Sequence, residues 1–110
     1  MMKLAMSQAA MGLLRALTGR AGIPRDRILL SEWTSVDWQS LTFVGERHTI
    51  VLRITAPHSD AIVRRMTAGL EDVDFVIPGH IVADIAVMGE PKLGADGSTE
   101  VKLEALTVEE

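Results

Sequence analysis

Met6, Ala10, Leu13, Leu14 and Leu17 recur at the spacing of one helix face, while Lys3, Gln8, Arg15 and Thr18 fall on or near the other side. Gly19 and Gly22 stop this helix, and Pro24 cannot extend it. A strand follows over 27–36, with Leu29 and Trp33 on one face and Leu30 and Glu32 on the other. The polar stretch 37–40 around Trp38 suits a hairpin connection. The pattern then predicts a second strand over 41–55, with Gly45 as the place for a bend or bulge. Ile50, Leu52 and Ile54 face one way; Thr49, Val51, Arg53 and Thr55 face the other.

Pro57 breaks that strand, and Ser59 is placed to cap a helix with Asp60 in its first turn. Ile62, Met66 and Leu70 recur every four residues, so the helix should end around Glu71. The segment 74–88 reads as a strand with Pro78-Gly79 early in it as a kink or edge feature. Its inward residues are Ile81, Ala83, Ile85 and Val87; its outward ones are His80, Val82, Asp84 and Ala86. A hairpin loop over 89–98 contains Asp96-Gly97. Val101, Leu103 and Ala105 then line the inward face of a last strand, whose outward positions include Leu106 and Val108.

The predicted fold class is α+β, a single domain over 1–110 in the order α-β-β-α-β-β. Moving the last strand to the front gives β-α-β-β-α-β, so the order is that of a permuted ferredoxin-like domain. The expected sheet is mixed and four-stranded. A right-handed crossover puts both helices on one of its faces. The other face is then uncovered and carries Val51, Arg53, Val82, Asp84, Leu106 and Val108. This mixture is too apolar for comfortable solvation and invites a neighbouring subunit.

Composition narrows the function classes. A chain of 110 residues, 47% of them apolar, supports one modest core. Trp33, Trp38, Phe43 and Phe75 are the only aromatic residues, so the core is aliphatic, with methionine filling gaps. The absence of cysteine excludes disulfides, thiolate catalysis and cysteine-based zinc sites. A net charge of −4 argues against gripping nucleic acid phosphates. No run approaches the ~20 apolar residues of a membrane span, and the N-terminal run lacks a cleavage-site pattern. The expectation is a cytoplasmic, unprocessed chain.

No constellation rises to a catalytic, cofactor-binding or metal site. His80 and Asp84 are ~13 Å apart on a strand and cannot share a proton or a metal. Glu46 and His48 lie ~6.6 Å apart on one face, but a metal would need a further ligand, and a bulge or loop near Gly45 explains both. Ser59 between His58 and Asp60 is a cap and not a triad, because triad groups must converge in space. Gly89 and Gly94 have phosphate-loop spacing, but Ala95-Asp96 replaces the required Lys-Ser/Thr. Trp33 and Trp38 could stack on a ligand or base, but in so aromatic-poor a chain they serve better as cover for the core or an interface.

The stretch Asp37-Trp38-Gln39-Ser40-Leu41-Thr42, then Gly45-Glu46-Arg47-His48, then the alternation from Ile50 to Ile54 resembles the tail-completion (tail-terminator) family of long-tailed bacteriophages. The likeness is greatest to the version in gene transfer agents of alphaproteobacteria. It continues through the helical stripe from Ala61 to Leu70, the strand from Val76 to Val87, Asp96-Gly97 and the acidic end from Leu106 to Glu110. It departs from the family early in the first strand, where Leu29 and Leu30 replace a frequent aromatic. The resemblance implies a structural protein with no catalysis and no cofactor. It would assemble as a ring, commonly a hexamer, that caps the tail tube, joins it to the head-connector protein and lets DNA pass through. Interface residues are then expected among Trp33, Val82, Leu106 and Val108. Its rival is a small ligand-binding or regulatory module that dimerises through the open sheet face. An enzyme using His48 or His80 as general base ranks last, since no substrate is suggested.

Overall fold

The computed structural model describes residues 6–110; Lys3 lies outside them. The first helix, α1 (Gln8–Ala21), starts where the Ser7 hydroxyl accepts a hydrogen bond from the Ala10 amide at 3.1 Å. It runs through Gly19 and ends at Gly22, whose φ of 66° is the left-handed conformation that glycine adopts without strain. The second helix, α2 (Ser59–Thr67), is shorter than the apolar repeat suggests. Gly69, at φ 62°, turns the chain, and Leu70 reaches the core from a 3₁₀ turn over Leu70–Asp72.

Five strands form the sheet: β1 (Ile28–Gln39), β2 (Val44–Ile54), β3 (His80–Val87), β4 (Lys92–Leu93) and β5 (Thr99–Glu109). Their order is β1-β2-β5-β3, with β4 beside the start of β5, and every pairing is antiparallel. This corrects the expectation of a mixed four-stranded sheet. The strands joined through α2, β2 and β3, do run in the same direction. They are kept apart by β5, which is antiparallel to both, so no parallel ladder forms. The additional strand is the two-residue β4 inside the 89–98 loop, paired through Lys92–Glu100 and Leu93–Thr99.

Element ends also shift. Asp37 and Trp38 pair with Glu46 and Gly45, so the β1–β2 turn moves on to Ser40 and Phe43. There the Ser40 hydroxyl accepts from the Phe43 amide at 3.0 Å. Pro78-Gly79 does not kink a strand; it forms a turn that bridges Ile77 to His80 before β3 begins. Proline has no N–H to give a ladder, and Gly79 at φ 77° closes the turn. Gly45 is not bulged: its pairing with Trp38 and Val108 is regular.

Both helices cover one sheet face. Leu13, Leu17 and Ala21 of α1 and Ile62, Val63 and Met66 of α2 enclose Ile50, Leu52 and Ile54 of β2 and Val101, Leu103 and Ala105 of β5. The alternation in β2 and β5 reads this face correctly because both are central strands paired without interruption.

In the outer strands, bulges break the alternation. Ser31 is skipped in the β1 register, so Leu30 pairs with Leu52 and Trp33 with Ile50, which puts Leu30 and Trp33 on the same face. Ala83 is skipped in the β3 register. Val82 therefore packs against the core, while Ile81, expected inside, is 49% exposed on the other face. One extra residue reverses every side chain on one side of it.

Candidate interaction surface

The sheet face without helices is ordered into cross-strand rows by its registers. One row runs Trp38–Gly45–Val108–Ile81, and the next Val36–Arg47–Leu106–Asp84. Val36 is 59% exposed, Trp38 and Leu106 are half-buried, and Val108 is only 6% exposed although no helix among the described residues covers this face. The apolar residues thus gather at one end of the face. Beyond them projects the β1–β2 turn, with Leu41 fully exposed and Phe43 and Val44 about half exposed. The other end is charged: Arg53 meets Glu100 at 3.3 Å, beside Lys102 and Glu104.

Of the expected interface residues, Leu106 and Val108 lie on this bare face. Trp33 and Val82 do not; both pack against the core on the helix side. The sequence reading missed Val36 and Ile81. Strict alternation from Trp38 points to Val36, but nothing in the sequence marks the Ala83 bulge that brings Ile81 out.

On the helix side, the candidate chemical groups hold the fold together. The Trp33 indole Nε1 donates to the Ser35 hydroxyl at 2.9 Å. That hydroxyl is 2.7 Å from His48 Nδ1, and His48 Nε2 is 2.9 Å from the Thr107 hydroxyl. One assignment satisfies the chain: Ser35 gives its proton to Nδ1, and the Nε2–H donates to Thr107. His48 is fully buried, and the Trp33 ring meets it edge-on with centroids 5.9 Å apart. Glu46, its neighbour on the same face, accepts from the Ser7 hydroxyl at 2.6 Å. Among the described residues no group of three or more histidine and carboxylate side chains is placed to hold a metal.

The remaining candidates separate in space. His80 Nδ1 lies 3.1 Å from the Pro78 carbonyl, and Asp84 is exposed on β3. His58 occupies the N-cap position of α2 at φ 59°, and no side chain caps this helix. Ser59 is not the cap, contrary to expectation. It is the first helical residue, and its hydroxyl donates to the Gly97 carbonyl or shares a 2.7 Å bond with Thr99, fastening α2 to the β4–β5 turn. In that turn the Asp96 carboxylate accepts from the Ser98 hydroxyl at 2.6 Å and the Ser98 amide at 3.0 Å. These bonds hold its pKa below the ordinary aspartate value.

Three clefts among the described residues are open and small. One of about 260 Å³ lies between Thr67 and Val87, one of about 110 Å³ beside Glu46 and His80, and one of about 290 Å³ between Val51 and Glu90. All fall below the usual range of small-molecule sites. No helix among the described residues is long and apolar enough to cross a membrane.

No family model matches the chain, and no curated protein matches it.

Proposed function

We propose that this protein is a structural assembly component of a phage-like particle, forming a ring that caps the tail tube and joins it to the head-connector protein. The observation that carries the proposal is the bare sheet face: Val36, Trp38, Ile81, Leu106 and Val108 form an apolar end continuous with the exposed Leu41 and Phe43. A largely apolar patch crossed by Arg47, on a protein whose His48 and Glu46 are engaged in internal hydrogen bonds, suits binding to other proteins. The strand order supports the permuted ferredoxin-like reading, with whose element order the family likeness agrees. With β5 taken as first strand, the order β1-β2-β5-β3 is that of a ferredoxin-like sheet. The net charge of −4 suits a ring through which DNA must pass without being held. A ligand-binding module that dimerises through the same face is the second reading; a deep apolar pocket with convergent polar groups would favour it.

Purified protein, alone and mixed with tail-tube protein, tests the reading by light scattering and negative-stain imaging. Rings, or rings seated on tube ends, are the expected result. A strict monomer that ignores tail tubes would overturn it.

A further inference from the structure

Among the described residues the sheet ends in two edge strands: β1 pairs only with β2, and β3 only with β5. The registers carry one level across the whole sheet. Trp33, Ile50, Leu103 and Val87 share a row, as do Val36, Arg47, Leu106 and Asp84. Residues 33–36 of one edge therefore stand level with 84–87 of the other. Both stretches are free of bulges, which fall at Ser31 and Ala83. Three antiparallel steps separate the edges, so β1 and β3 run in opposite directions. A copy rotated about an axis along the strands then brings its β3 beside β1 in the antiparallel sense that every other pair in the sheet uses.

We infer that β1 of one subunit pairs with β3 of a second copy, with Val36 opposite Asp84 and Trp33 opposite Val87, joining the sheets head to tail. This rests on the ring proposed above and names the edges that meet. The chemistry of β1 fits such a partner. From Ile28 to Gln39 it contains no lysine, arginine or proline; its protecting features, the Ser31 bulge with Glu32 and the charge of Asp37, flank the stretch 33–36 and leave it free to pair. In the level register no two like charges stand opposite each other: the neighbours of Asp37 and Asp84 are Val82 and Val36. A head-to-tail contact uses two different surfaces, so it closes into a ring when the rotation divides a full turn. It also sets the apolar ends of neighbouring bare faces side by side.

A charge swap tests the pairing. V36E places a carboxylate next to Arg47 within its own subunit, which the fold accepts, but opposite Asp84 of the neighbour, where like charges repel. Within one subunit positions 36 and 84 are ~14 Å apart across three strand spacings, so any compensation between them acts between subunits. V36E should weaken assembly on the order of tenfold in sedimentation or light scattering, and V36E/D84K should restore most of it. Hydrogen exchange on the unmodified protein provides a second reading. Amides of 33–36 and 84–87 should gain protection on assembly, while those of β2 stay as they are. Rings that form equally well with V36E, or without that protection, would overturn the edge pairing and leave the ring standing. A loss that D84K does not restore would point to other edges, such as β1 with itself, and also overturn it. A chain that never assembles would overturn both.

Discussion

The carbonyl oxygen of Thr107 overlaps the place where a Cβ on Gly45 would sit, so the β2 and β5 backbones approach more closely here than any side chain allows. The reason for glycine is this approach, not a bulge. Gly45→Ala should push the strands apart in the middle of the apolar row and cost about 3 kcal/mol, at the upper end of overpacking effects. Urea unfolding followed by Trp fluorescence measures it. A midpoint equal to that of the unmodified protein would show that the strands can separate freely.

His48→Ala should cost about 2–4 kcal/mol, because it removes a fully buried ring and strands the hydroxyls of Ser35 and Thr107. Zinc added to the unmodified protein should leave its melting temperature unchanged, since hydroxyl partners face both ring nitrogens. A zinc-dependent rise would revive the metal reading of Glu46 and His48.

Arg20 and Arg65 close each other's helices. Arg20 of α1 donates to the Met66 carbonyl at 2.9 Å and also to Ala68, at the end of α2, while Arg65 of α2 donates to Ala21 at the end of α1. Terminal carbonyls have no partners within their own helix, and cations there also suit the helix dipole. Arg20→Met and Arg65→Met should each cost ~1 kcal/mol. Because both sit at one helix–helix contact, the double variant should depart from additivity in thermal unfolding.

Asp96 makes the β4–β5 turn acid-sensitive. Its folded pKa lies below the unfolded value of about 3.9, owing first to the Ser98 hydroxyl and then to the Ser98 amide. The contribution to stability is thus fully present above that unfolded value and is lost as the pH falls through the folded pKa. A carboxyl-carbon NMR titration should show Asp96 titrating below the ordinary aspartate range. Ser98→Ala should move it back toward that range.

The amphipathic stripe from Ala10 to Leu17, the alternation of Ile50, Leu52 and Ile54, and that of Val101, Leu103 and Ala105 could be read from the chain alone. They belong to a helix on one sheet face and to two central strands with uninterrupted register, where local periodicity and burial agree. The edge strands were less legible. Bulges at Ser31 and Ala83 arise from how β1 and β3 pair with their neighbours, and each reverses the faces of the residues beyond it. Trp33 and Val82 consequently moved to the core, and Ile81 moved out.

The sequence by itself determined the order of the two helices and the four long strands, the core faces of α1, β2 and β5, and the scarcity of candidate chemistry, because these follow from residue type and short-range spacing; the two-residue β4 escaped it. Only the tertiary structure decided that β5 separates β2 from β3, that His48 is bound by hydroxyls from β1 and β5, and that Val36, Trp38, Ile81 and Leu106 share one bare face. Each of these depends on contacts between residues distant in the chain, and no local pattern encodes them.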